Sequence, residues 1–269
     1  MSRGGTVLPA STGTSTTGGQ APEGAASTTR RGALRWAAAV GGGALGVGTS
    51  LGAGSAQAAG ALHPRPEQVS DPQQALELLR AGNARFAAHP QQHHGTTRAR
   101  REALAEGQHP FAAVLSCADS RVPPELVFDQ DLGDLFTVRT AGQVIAAPVL
   151  GSVQYGVEHL HTPLVVVLGH ERCGAVKATL EAIASGAGPS GTAVDSLIEA
   201  IRPPALAAIE ALGAGAPAEA LLAEAVRRNV LAQVAALAAD PVLAHAQAGG
   251  HLRVVGATYD LHEGTVTFL

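Results

Sequence analysis

The hydrophobic pattern alternates between short apolar runs and segments with helical spacing. Three short runs, at 112–116, 135–138 and 164–168, predict strands. The third run is continuous and β-branched, as is typical of a strand buried on both faces. Helical segments at 149–160 and 173–184 flank this third run. This alternation predicts an α/β protein whose central, mostly parallel sheet is flanked by helices and built from right-handed crossovers.

Helices are also predicted before this alternating region. Asp71 and Pro72 are typical of a helix start, with an N-cap residue followed by proline at the first helical position. The helix continues at the spacing of Leu76, Leu79, Asn83 and Phe86. A polar loop at 89–97 and a short charged helix at 98–106 follow.

The C-terminal part of the chain predicts more helices and a closing hairpin. The Ala- and Leu-rich stretch 194–239 indicates two or three helices, with breaks at Pro203-Pro204 and at 213–217. The pattern of 252–259 and 265–269, separated by a turn, predicts two antiparallel strands. There is no internal repeat, and we expect a single domain at 59–269.

The first 58 residues differ from the rest in composition. Residues 1–28 are mostly Ser, Thr, Gly and Ala, so we expect them to be disordered. Arg30 and Arg31 precede a weakly hydrophobic, glycine-rich run that ends at Ala56-Gln57-Ala58. A basic pair, a mild apolar region and an A-x-A cleavage site are typical of a twin-arginine export signal.

Two other interpretations of this leader compete with export. One is a membrane anchor, and the other is a low-complexity segment without a targeting role. The many glycines and alanines argue against the anchor, because they fill a membrane span poorly. We therefore expect recognition by the twin-arginine export machinery, a periplasmic or extracellular location, and no stable membrane anchor.

Composition narrows the possible functions of the remaining domain. The 269-residue chain has a formal net charge of −4, which argues against nucleic-acid binding because phosphate neutralisation requires a basic surface. Cys117 and Cys173 are the two cysteines. Two cysteines this far apart form neither a disulfide framework nor a CxxC redox pair.

The positions of the cysteines instead indicate a metal site. Cys117 ends one predicted strand, and His170 and Cys173 directly follow another. Sites in open α/β sheets form at the carboxyl ends of strands, so two neighbouring strand ends would bring the three residues together. Two thiolates and an imidazole suit zinc, and three ligands leave a fourth, catalytic position open. Two small buried thiols with no ligand role are the alternative.

The residues after the first cysteine favour the catalytic interpretation. Asp119 and Arg121 follow Cys117 by two and four residues. A carboxylate in this place can accept the proton of a metal-bound water or occupy the fourth metal position itself. A bidentate bond from Arg121 would keep Asp119 ionised and turned away from the metal.

These residues lie in motifs that closely resemble those of the β-class carbonic anhydrases. The two central motifs are Cys117-Ala118-Asp119-Ser120-Arg121 and His170-Glu171-Arg172-Cys173-Gly174. Further matches are 82–86, 133–142 and 259–264, so the resemblance covers about residues 70–269.

The resemblance implies one Zn²⁺ per chain, bound by Cys117, His170 and Cys173. Asp119 and Arg121 would form the catalytic dyad, with Asp119 a possible fourth ligand in a closed state. The expected reaction is reversible hydration of CO2 to bicarbonate and a proton by zinc-bound hydroxide, since zinc lowers the pKa of bound water to about 7.

The resemblance also implies substrate contacts and an assembly. Gln108 matches a side chain that hydrogen-bonds substrate near the metal, and the amide of Gly174 would serve bicarbonate. A homodimer or higher homo-oligomer is expected, with active-site clefts at subunit boundaries. No single proton shuttle stands out among six histidines, namely His89, His93, His94, His109, His159 and His161.

Two alternatives to carbonic anhydrase activity remain at this point. Related folds with the same ligands hydrolyse carbon disulfide or carbonyl sulfide, and only substrate access separates these activities. A non-catalytic zinc-binding protein is the other alternative. Asp119 and Arg121 argue against it, because a structural site normally closes its fourth position with another Cys or His.

Overall fold

The computed structural model of the chain describes residues 68–88, 96–213 and 215–269. The predicted leader at 1–58 lies outside the described residues, as does part of the predicted polar loop with His89, His93 and His94.

Five strands form one sheet that is parallel except at one edge. They are β1 (Ala112–Cys117), β2 (Leu135–Thr140), β3 (Leu164–His170), β4 (Arg253–Tyr259) and β5 (Val266–Phe268). Their order is β2-β1-β3-β4-β5, and only the β4–β5 pair is antiparallel. The α/β class, the mostly parallel sheet and the closing hairpin predicted from the sequence are confirmed.

Eight α-helices and a short 3₁₀ helix connect the strands in the described part of the chain. The helices are α1 (Pro72–Ala88), α2 (Arg98–Leu104), α3 (Pro124–Val127), α4 (Ala147–Glu158), α5 (Gly174–Ser185), α6 (Val194–Leu212), α7 (Ala218–Ala239) and α8 (Pro241–Ala248), and the 3₁₀ helix is Ala141–Gln143.

Alternate residues of the central strands pack against helices on opposite faces, as the two-residue period of a strand requires. On one face, Val114 and Val166 share an apolar cluster with residues of α1 and α3. On the other face, Leu115 and Val167 share a cluster with residues of α4, α7 and α8. All residues of β1 and β3 are therefore buried.

The predicted helix break at Pro203-Pro204 is wrong. Both prolines lie inside the continuous helix α6. Proline removes a backbone hydrogen bond and ordinarily breaks a helix, but here Ile201, Ala205 and Ala208 are fully buried. Packing of this face holds the helix together despite the lost bonds. The break predicted at 213–217 is confirmed, since it separates α6 from α7.

The sequence pattern did not predict three short helical elements, namely α8, α3 and the 3₁₀ helix. Helix α8 begins after Asp240, whose side chain accepts hydrogen bonds from the backbone N–H groups of Val242 and Leu243. An N-cap residue followed by Pro241 is a readable start signal. Helix α3 and the 3₁₀ helix, with four and three residues, are too short to leave a periodic pattern.

Candidate metal centre

Cys117, His170 and Cys173 meet at the carboxyl edge of the sheet. Cys117 is the last residue of β1, and His170 is the last residue of the neighbouring parallel strand β3. Cys173 follows directly before α5. One ligand atom from each residue lies within 4.8 Å of the others. The clustering predicted from the strand ends is thus present in the structure.

The imidazole of His170 is oriented as a metal ligand requires. Its Nδ1 lies 2.8 Å from the carbonyl oxygen of Glu171, so Nδ1–H donates to that oxygen and Nε2 carries the free lone pair. The residue is fully buried, and its Nε2 has no hydrogen-bond partner. A buried acceptor without a donor is costly. A metal ion bound by Nε2 would remove this cost, with the Glu171 carbonyl fixing the tautomer.

The two sulfur atoms lie 3.9 Å apart, within hydrogen-bonding distance of each other. Hydrogen bonding from Cys173 lowers the pKa of Cys117 to about 4. The same contact, together with burial, raises the pKa of Cys173. Two thiolates at this distance repel each other strongly in a buried site. A divalent cation would stabilise both thiolate forms, so the donor set fits a metal ion.

Two further residues hold the first cysteine in place. The backbone N–H of Gly142, in the 3₁₀ helix, donates to Cys117 Sγ at 3.3 Å. Arg139 donates from Nε to the Cys117 carbonyl at 2.9 Å and from Nη2 to the Asp119 carbonyl at 2.6 Å. Both residues lie in the 133–142 motif, but no sequence pattern indicates these contacts, because each depends on the pairing of β1 with β2.

The backbone conformation and the close packing at position 142 explain why this residue is a glycine. Its φ is 68°, a left-handed value that side chains disfavour. A Cβ at this position would also lie 2.7 Å from Cδ1 of Ile201 and 3.2 Å from Cβ of Ala175. Glycine therefore allows α5 and α6 to pack closely over the turn that donates to Cys117.

Asp119 and Arg121 form a bidentate ion pair beside the cluster. Oδ1 of Asp119 accepts from Nε and from the backbone N–H of Arg121, both at 2.9 Å. Oδ2 accepts from Nη2 at 2.8 Å and lies 3.9 Å from His170 Nε2. These hydrogen bonds hold the pKa of Asp119 well below its usual range. The carboxylate is therefore ionised at neutral pH, with Oδ2 facing the imidazole of His170.

Gly174 is the first residue of α5 and directly follows Cys173. A Cβ at Gly174 would meet no other atom within 4 Å. The start of this helix therefore borders open space next to Cys173.

The structure does not place Gln108 near the cluster of its own chain. Gln108 precedes β1 and so lies at the amino edge of the sheet, opposite the edge that carries Cys117. There it lines an open cavity of about 540 Å³, together with Leu104 and Leu132. His109 also precedes β1, and His159 and His161 precede β3. These three histidines thus lie at the same distant edge.

Comparison with known proteins agrees with the site. The family model described as carbonic anhydrase matches residues 112–266. Carbonic anhydrase 2 of Mycobacterium tuberculosis is 44% identical over 196 residues, which cover 72% of this chain and 91% of that protein. The carbonic anhydrase of Mycolicibacterium smegmatis is 44% identical over 198 residues, which cover 73% and 93%.

Solved structures agree as well. The Coccomyxa β-carbonic anhydrase, solved in complex with acetazolamide, superposes with a TM-score of 0.57 at 28% identity, covering 75% of this chain and 87% of that one. A Sordaria macrospora enzyme, one of two described as tetrameric β-carbonic anhydrases, gives a TM-score of 0.59 at 24% identity, covering 73% and 95%. The chain therefore belongs to the β-class carbonic anhydrases, a family of enzymes, as its motifs indicated.

The ligand assignment makes a testable prediction. Replacing a residue that only supports the ligands typically lowers metal affinity by roughly 10–100-fold. We expect His170→Asn to lower zinc affinity by more than this, because it removes the free imidazole nitrogen. His159→Asn, the same replacement at the other edge of the sheet, should bind zinc like the unaltered protein. Zinc affinity measured by chelator competition tests both. Equal affinities of the two variants would contradict the assignment.

Proposed function

We propose that this chain is a zinc-dependent carbonic anhydrase that interconverts CO2 and water with bicarbonate and a proton. The observation that carries the proposal is the buried Cys117–His170–Cys173 cluster with an ionised Asp119 beside it. The 44% identity to two mycobacterial carbonic anhydrases supports the same reaction.

Zinc is the proposed ion, with one per chain. Two sulfur ligands and one imidazole are a donor set that zinc prefers, and a site with three protein ligands leaves a fourth position for reactants. When bound, zinc would supply the Lewis acidity that allows water to lose a proton near neutral pH.

Asp119 is proposed to orient the reacting water. Its Oδ1 accepts two hydrogen bonds from Arg121, whereas Oδ2 accepts one. Oδ2 is therefore the oxygen with capacity left to accept a proton or hydrogen bond from water, and it lies nearer the imidazole. An acceptor fixed in this way orients the oxygen lone pair of water towards CO2.

Arg121 is proposed to keep the fourth metal position open. Asp119 as a fourth ligand would have to give up part of its bidentate pairing with Arg121. The paired geometry thus supports an open site at neutral pH. The backbone N–H of Gly174, at the positive end of α5, is the proposed contact for bicarbonate.

Replacement of Asp119 tests this function. Asp119→Asn keeps the shape of the side chain but removes the charge, so we expect zinc to remain bound while CO2 hydration falls by about 10²–10⁴-fold. Stopped-flow hydration assays on zinc-quantified protein measure this. Glu181→Gln, at an exposed carboxylate on α5, is the matched control and should keep full activity.

Two results would contradict the proposal in different ways. Near-normal hydration by Asp119→Asn would contradict the role of the carboxylate. A complete lack of hydration by the zinc-loaded parent protein would contradict carbonic anhydrase activity itself, and carbon disulfide and carbonyl sulfide would then be the substrates to test.

A homo-oligomer is proposed to complete the site. Gln108 is exposed at the edge of the sheet opposite to the cluster of its own chain. It therefore contacts substrate only if a second copy presents it to the cluster. The description of the Sordaria macrospora relatives as tetrameric supports an assembly of this kind.

Mixed oligomers test whether Gln108 acts across subunits. We expect Gln108→Ala and Asp119→Asn each to lower activity, and hybrids of the two variants to recover part of it. In such a hybrid one site contains both defects and another contains neither, because a two-fold interface exchanges the same residues. Hydration by purified hybrids, marked with two different affinity tags, measures the recovery. No recovery would place Gln108 with its own chain or outside the site.

We propose that the leader, residues 1–58, directs export of the protein. Arg30 and Arg31 with the following Gly- and Ala-rich run support a twin-arginine signal. In the described part of the chain, no helix is both long and apolar enough to cross a membrane. We expect Arg30→Lys combined with Arg31→Lys to stop export, as measured by fractionation of cells that contain the twin-arginine system. Undiminished export of the double variant would contradict this route.

A further inference from the structure

Helix α7 carries two buried amide side chains that the reaction outlined above does not use. Asn229 is fully buried and Gln233 is 7% exposed. They lie one helical turn apart, so they share a face of a helix made otherwise mostly of Ala, Leu and Val. Burial of an amide is unfavourable unless its polar atoms are hydrogen-bonded. The partners of these two side chains therefore show what the pair holds.

Both amides bond to the segment that follows β2. Nδ2 of Asn229 donates to the carbonyl oxygen of Gly142 at 2.9 Å. Nε2 of Gln233 donates to Oδ1 of Asn229 at 3.2 Å. Oε1 of Gln233 accepts from the backbone N–H of Ile145 at 3.3 Å. Asn229 is thus held by Gln233 and in turn holds the carbonyl of Gly142.

Gly142 connects this pair of amides to the metal centre. Its carbonyl accepts from Asn229, and its N–H donates to Cys117 Sγ at 3.3 Å. The turn is conformationally demanding, because Gly142 has φ 68° and Gln143, which is not a glycine, has φ 47°. Consecutive left-handed residues are disfavoured. The turn therefore relies on contacts from outside to keep its N–H directed at the sulfur.

We propose that Asn229 is a positioning residue of the metal centre, which fixes the Gly142 turn so that its N–H donates to Cys117 Sγ. This hydrogen bond withdraws electron density from the thiolate and weakens its donation to a bound ion. The ion then remains a stronger Lewis acid towards water. Groups beyond the ligands commonly tune metal sites in this way. The inference rests on the proposed zinc site.

The Co²⁺-substituted full-length protein tests the proposal by spectroscopy as well as by affinity. Asn229→Leu keeps a similar volume and removes the donor to Gly142. We expect its thiolate-to-cobalt charge-transfer band to move to longer wavelength, because a thiolate that loses a hydrogen bond gives up an electron more easily. Zinc affinity, measured by chelator competition, should fall about tenfold, because the poorer positioning of Cys117 outweighs the stronger donation of its thiolate.

A matched control separates positioning from general loosening of the helix. Leu237→Ala truncates another fully buried side chain of α7, which lies about two helical turns beyond Asn229 and belongs to the cluster with Leu115 and Val167. It should lower stability but keep the band and the zinc affinity of the parent. An equal shift in Leu237→Ala, or an unshifted band in Asn229→Leu, would overturn the proposal.

A second variant keeps the test decisive if Asn229→Leu does not fold. Gln233→Leu leaves the Asn229 donor in place but removes the group that orients it, so we expect a smaller shift in the same direction. An unshifted band in this variant would overturn the proposal. Failure of the parent protein to bind zinc or cobalt would instead overturn the proposed function, and this inference with it.

Discussion

The parallel pairing of β1 with β3 is the constraint on which the rest of the site depends. Leu115 lies opposite Val167 and Ser116 opposite Leu168, so the two strands end together, with Cys117 on one and His170 on the other. Helices cover both faces of these strands, and the burial of alternate residues on opposite faces fixes the register. A shift by one residue would turn the Cys117 side chain to the other face. The position of the Cys117–His170–Cys173 cluster is thus a consequence of how the apolar core packs.

Burial of Cys117, His170 and Cys173 creates an electrostatic problem that the neighbouring residues address in different ways. The two sulfur atoms are within hydrogen-bonding distance of each other, and Nε2 of His170 has no hydrogen-bond partner. These three donor groups are fully or nearly fully buried, so binding of a cation between them is favoured over binding of a water molecule. Asp119, which is less buried, is neutralised by Arg121 rather than by the cluster. This separation leaves a negative oxygen close to the ligands without adding another charge to the buried centre.

The strands and the clustering of Cys117, His170 and Cys173 could be predicted because their signals are local. Apolar runs mark β1 and β3, and Cys117 and His170 follow them directly, so the topology of a parallel sheet was enough to bring them together. The same reasoning could not find Arg139, Gly142 or Asn229, whose roles depend on contacts between distant segments. It was also wrong about Pro203-Pro204, where burial of one helix face outweighs local propensity. For Gln108, the sequence indicated a role in the site, but a single chain places it at the other edge of the sheet.

The order of strands in the sheet has a consequence for biosynthesis. Strand β3 lies in the middle of the sheet and is apolar on both faces, and its neighbour β4 comes from the far end of the chain, with Leu164 opposite Arg253. During synthesis, β1, β2 and the three clustered residues Cys117, His170 and Cys173 leave the ribosome well before β4 is made. Until then, one edge of β3 has no partner strand, and unpaired apolar edges of this kind promote aggregation. The C-terminal hairpin therefore covers this edge only once it is made, and a chain truncated before it would contain Cys117, His170 and Cys173 and still be prone to aggregate.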